Sequence, residues 1–147
     1  MEEYGFNKDL NRDELAVSRT QGIIFEECQA LGVDAEDYIT KFMHSLVAEQ
    51  LDKMTSGVFS AGSAPLKRHI LDQIGAVKPY SESGHINEDA LYWAGYIYRY
   101  WANLLGVSSK ELIEAAPIRK VLYCYPAYHC MGNKEAISHM KHQFFAS

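Results

Sequence analysis

The sequence has no long apolar run, few cysteines and no excess of positive charge, and each shortage removes a class of function. A membrane helix needs roughly 18 to 20 consecutive apolar residues. The uncharged stretch of the aromatic region, Ala90 to Tyr98, has nine, so no membrane span is expected. The first residues, Met1-Glu2-Glu3-Tyr4-Gly5-Phe6, are acidic where a secretory signal would carry Lys or Arg before an apolar stretch, which points to a cytoplasmic chain. Three cysteines, Cys28, Cys124 and Cys130, are an odd number in a chain too large to need disulfides, and reduced thiols follow. The net charge of −5 and the pI of 5.6 argue against broad binding to nucleic acid or anionic lipid. Neither a glycine-rich phosphate loop, nor a nucleophile elbow, nor an HExxH zinc pattern occurs.

What is present describes one helical domain spanning residues 1–147. With 147 residues, 48% of them apolar, 22% charged and 12% aromatic, the chain can bury roughly two thirds of its unfolded surface. Asn11 and Glu14 have the spacing of a capping box, and Gly32 sits where a left-handed helix end belongs, which predicts a helix over 11–32. Residues 34–54 read as one continuous helix. Tyr38, Ile39, Phe42, Met43, Leu46, Val47, Leu51 and Met54 follow the three- and four-residue steps of a single face. The uncharged stretch Thr55 to Pro65 reads as a loop, followed by a short helix from Ser63 to Gly75.

Asn87 opens the most unusual segment, NEDALYWAGYIYRYWANLLG, expected as a central helix ending at Gly106. One face collects Tyr92, Trp93, Tyr96, Ile97, Tyr100, Trp101, Leu104 and Leu105 and reads as the core side. The other carries Ala94, Gly95, Tyr98, Arg99, Ala102 and Asn103. Glycine inside a helix costs about 1 kcal/mol relative to alanine, so Gly95 beside Ala94 predicts close approach of another backbone. Ser108 and Glu111 repeat the capping-box spacing before a short helix that stops at Pro117. Residues 118–132 alternate briefly like a strand at Val121, Tyr123 and Tyr125. A lone strand has no pairing partner, which favours a helical turn ending near Pro126. Asn133 then caps a last helix through Phe145. The fold class is all-α, an irregular bundle of about five to seven helices around the aromatic helix.

These residues bear on several chemistries. Cys124, His129, Cys130, His139 and His142 include zinc-type donors, but a C-x5-C spacing departs from the tight knuckles of structural zinc sites, so no metal and no other cofactor is expected. An Arg/His ribonuclease pair fails on spacing, since Arg119 and His129 stand ten residues apart with Pro126 between them. Residues 1–60 hold five basic and twelve acidic residues, net −7. The remainder holds nine and seven, net +2, with five of the six histidines, and that field is too faint to recruit nucleic acid. Tyr, Trp and Arg, by contrast, are the residues that dominate protein–protein contacts.

Three stretches, Tyr38 to Met54, Ala90 to Trp101 and Leu104 to His129, together resemble a group of small helical proteins of Firmicutes and related bacteria. That group is often labelled antitoxin and is associated with genes beside ADP-ribosyltransferase-like toxins. The resemblance is carried most specifically by Tyr92, Trp93, Gly95, Tyr96, Tyr98, Arg99, Tyr100 and Trp101, then by Ser108-Ser109-Lys110 and by Tyr125 with His129. Where the group continues with a Thr-x-Asp type segment, Cys130, Met131 and Gly132 stand here, so no role for that acid carries over. The resemblance implies a helical fold and partner binding, and it carries no catalytic residue.

The expected function is therefore an antitoxin-like neutraliser that binds a partner enzyme, such as an ADP-ribosyltransferase-like toxin encoded nearby. Both a monomer and a homo-oligomer remain open. Tyr98, Arg99, Arg119, Tyr125, Tyr128 and His129 are the expected partner contacts, because they lie off the presumed core face or at a loop. The alternative is a small enzyme or RNA-acting toxin using a His/Arg or Cys/His site.

Overall fold

A computed structural model describes residues 6, 8–54 and 63–145, with the backbone alone for 63–68. Among these residues the fold is all-α. Helix α1 (Arg12–Glu27) starts at the expected capping box, in which Asn11 Oδ1 accepts from the Glu14 N–H and Glu14 Oε1 accepts from the Asn11 N–H, both at 2.9 Å. It tightens into a 3-10 turn (Cys28–Leu31) and ends at Gly32, whose φ of 85° is open to glycine at little cost.

The continuous helix expected over 34–54 is two helices, α2 (Ala35–Met43) and α3 (Leu46–Asp52). The break has a local cause. His44 turns its Nδ1 onto the Thr40 carbonyl oxygen at 2.9 Å, and Ser45, in extended conformation, offers its hydroxyl oxygen to the Ala48 N–H. Apolar periodicity survives such a corner because both short helices bury the same side, which is why the pattern concealed it. The loop expected over Thr55 to Pro65 lies mostly outside the described residues. Helix α4 (Ser63–Ile74) follows.

Residues 76–86 cross back over the α1–α2 corner. The Asp34 N–H donates to the Lys78 carbonyl, the Tyr80 N–H to the Gly32 carbonyl, and Gln29 pairs with both backbone groups of Ile86. The resulting Val33–Pro79 bridge is isolated and extends into no strand among the described residues.

Helix α5 (Glu88–Leu105) runs through the middle, capped by Asn87 and ended by Gly106 at φ 66°. It crosses α1 at the glycine pair Gly22 and Gly95. A Cβ on Gly95 would stand 2.5 Å from the Gln21 carbonyl oxygen and 2.9 Å from the Gly22 Cα, so the close approach expected of Gly95 is present. That approach decides which face is core. Ala94, Gly95, Tyr98, Arg99 and Ala102 are buried against neighbouring helices, and of the expected core face Ile97, Tyr100, Trp101 and Leu104 are buried while Tyr92, Trp93, Tyr96 and Leu105 are half-buried. The small-residue face lies as deep as any other, because small side chains are what let two backbones meet.

The C-terminal part comprises α6 (Ser109–Ala115), α7 (Ile118–Tyr128) and α8 (Asn133–Phe145). Helix α7 does not end near Pro126 as expected. Proline removes the N–H that would have bonded one turn back and crowds the carbonyl of Leu122, yet the helix continues for two residues beyond it. With the split of 34–54 and the full length of α7, the described chain has eight α-helices around one core. No helix among the described residues is long and apolar enough to cross a membrane.

Candidate functional site

The six residues expected to meet a partner divide into two groups. Tyr98 and Arg99 are fully buried and cannot meet a partner in this fold, which corrects the sequence reading. The Tyr98 hydroxyl donates to the Ala116 carbonyl at 2.5 Å and so ties α5 to the end of α6. Burial first, then the neighbouring Cys124, raises the Tyr98 pKa well above its ordinary value and keeps it a neutral donor.

Arg99 is the centre of an internal polar cluster. Its Nε donates to Gln21 Oε1 at 2.8 Å, its Nη1 to Asp52 Oδ1 at 2.5 Å and its Nη2 to Ser109 Oγ at 2.8 Å. Asp52 closes the ring by accepting from the Ser109 backbone N–H at 2.9 Å, at the first turn of α6. Burial pushes the Arg99 pKa down and the Asp52 carboxylate pulls it back. The guanidinium thus holds α1, α3, α5 and α6 in one arrangement, where breaking the buried pair would leave charge without a partner.

Arg119, Tyr125, Tyr128 and His129 lie instead on α7 and its C-terminal end, at the surface or half-buried. Ile118, Val121 and Cys124 form the buried stripe of this helix, and the opposite face carries Arg119 and Tyr123. The Arg119 side chain is 82% exposed and donates from Nε (3.3 Å) and Nη2 (3.2 Å) to Glu36 Oε1 at the surface. Tyr123 is 88% exposed, the largest exposure of any large apolar residue described. Tyr123 is not among the contacts expected from the sequence, where it stands only in a brief strand-like alternation. The missed signal is its position four residues after Arg119, which places both on one face of a helix.

At the far end of α7 the rings form an ordered cluster. His129 stacks on Tyr125 at 4.3 Å between centroids, and Trp93 from α5 meets Tyr125 edge-on at 5.8 Å. Tyr128 stacks on His139 of α8 at 5.6 Å, which fastens α7 to α8. Lys120, Tyr123, Gln143 and Phe144 line a shallow groove of about 270 Å3 between these two helices. Phe144 is half-buried and Phe145 exposed at the end of this last helix.

Arg119 and His129 stand at opposite ends of α7, about 15 Å apart along its axis, and form no common centre. Among the described residues no three metal-ligating side chains converge. Cys124 is buried and its thiol is pushed up by that burial, whereas Cys130 is exposed with its Sγ 3.4 Å from His129 Nε2. No protein-family model, curated protein or solved structure matches the chain.

Proposed function

We propose that the chain is a protein-binding module whose contact surface is the outer face of α7 together with the ring cluster at its end. The observation that carries this reading is the pairing of Tyr123 and Arg119, each more than four fifths exposed and one helical turn apart. Tyrosine and arginine supply large contact area and directed hydrogen bonds, which makes them common anchors of protein interfaces. The stacked Tyr125–His129 and Tyr128–His139 pairs add half-exposed rings whose positions are set before binding, so less freedom is lost on association.

Taken with the resemblance of its aromatic helix, the module acts as an antitoxin-like neutraliser in the bacterial cytoplasm. Its partner is an ADP-ribosyltransferase-like protein encoded beside it. Co-expression of the two followed by light scattering tests this. A stoichiometric complex that is weakened at least tenfold by Tyr123→Ala and relieves the toxicity of the partner is the expected result. A chain that remains free at micromolar concentration, with the toxicity unrelieved, overturns it.

A further inference from the structure

The turn between α7 and α8 joins a thiol to a base, and protein binding has no use for that pairing. Cys130 is exposed, and its Sγ lies 3.4 Å from His129 Nε2. The other ring nitrogen, Nδ1, is 2.7 Å from the Tyr125 carbonyl oxygen. A carbonyl oxygen can only accept, so the neutral imidazole carries its proton on Nδ1 and leaves the Nε2 lone pair to the Cys130 S–H. Rotation of the ring is opposed by the Tyr125 side chain, stacked 22° from parallel, and Trp93 in turn holds Tyr125. A nucleophile, a base within reach and a third group orienting the base are the three parts of an activated thiol. The other cysteines lack all of this. Both are buried, and burial pushes Cys28 up to about 12 and Cys124 upward as well.

We propose that Cys130 is a reactive thiol that exchanges with low-molecular-weight disulfides of the glutathione type, with His129 as its base. The Cys130 proton passes to His129 Nε2 as the sulfur attacks one sulfur of the disulfide. A new S–S bond forms to Cys130, the original S–S bond breaks, and its electron pair leaves on the second sulfur. That thiolate then takes the proton from His129. Cys130 is oxidised to a mixed disulfide while the co-reactant is reduced to one thiol. The step needs no partner protein, so its outcome is independent of the binding function.

The full chain treated with oxidised glutathione and followed by intact and peptide mass spectrometry tests the proposal. A single adduct on Cys130 is expected, and none in Cys130→Ser over the same time. His129→Gln is expected to slow the reaction about tenfold, less than the roughly hundredfold or more of a base acting on a hydroxyl, because an ordinary thiol is already partly ionised near neutral pH. The unstructured peptide Ala127–Asn133 keeps the two neighbours without the helix that orients the ring, and it should react about tenfold more slowly than the chain, as the His129 variant does. An adduct on Cys28 or Cys124, a peptide as fast as the chain, or an undiminished rate in His129→Gln overturns the proposal.

Discussion

Arg99 and Arg119 begin as equals in the sequence, each set among tyrosines on a helix, and they finish in opposite roles. Arg99 has no exposure and donates to Gln21, Asp52 and Ser109. Arg119 reaches outward over α7 and meets Glu36 at the exposed surface. Both are paired with a carboxylate, yet the same pairing has different worth in the two places. In water a guanidinium loses little when its partner is removed, whereas in the interior the partner left behind has nothing to replace it. An arginine beside tyrosines therefore signals an interface only where its helix leaves that face uncovered.

The contrast is broken most severely by Arg99→Ala. The change strands the half-buried Asp52 carboxylate, Gln21 and Ser109, and we expect a loss of about 3–5 kcal/mol, read as a fall in Tm of roughly 10 °C. A variant that melts like the wild type would show that Arg99 is not the tie between the four helices. Next in size is Gly95→Ala. Its Cβ would meet the Gln21 carbonyl oxygen at 2.5 Å, so α1 and α5 must separate. A loss of about 1–3 kcal/mol is expected in urea unfolding, despite the better helix propensity of alanine.

Asp37 lies between the two extremes. The Lys78 backbone N–H, donating at 2.7 Å, holds its carboxyl below the ordinary 3.8, with Lys41 adding to the effect. A folded-state pKa below the unfolded one means that the stabilisation is complete above about pH 5 and is lost as pH falls through the folded value. The stability gap between the wild type and Asp37→Asn should thus be constant from pH 5 to 7 and close below pH 4. A gap that widens on acidification would refute the assignment. Smallest is Arg119→Ala, with a change in stability below about 0.5 kcal/mol. Its effect should appear in partner binding and not in the melting curve, which sharpens the difference from Arg99.

Features that depend on neighbours in the chain were legible. The capping boxes at Asn11/Glu14 and Ser108/Glu111 and the left-handed glycines Gly32 and Gly106 each use contacts within four residues. Gly95 was legible for a different reason, because a glycine in a helix interior is costly unless something occupies the space of its missing side chain. The corner at His44 and Ser45 was hidden, since the apolar spacing continues through it. The burial of Tyr98 and Arg99 was hidden as well. On a helix packed on most sides, the face with polar and small residues looks like the solvent face until another helix is laid against it. At the surface, Arg119, Tyr125, Tyr128 and His129 were recognised, while the Tyr123–Arg119 face depended on knowing that 118–128 is helical throughout. The Cys130–His129 contact depended on the direction in which the Tyr125 carbonyl turns the ring.

By itself, then, the sequence determined the all-α class, most helix boundaries and the glycine at which α1 and α5 cross, because these follow from backbone hydrogen bonds and sterics within a turn or two. Only the tertiary structure decided which arginine is core and which is surface. Burial belongs to the space between helices, and a side chain acquires its surroundings only when residues as distant in the chain as Gln21, Asp52 and Ser109 close around it.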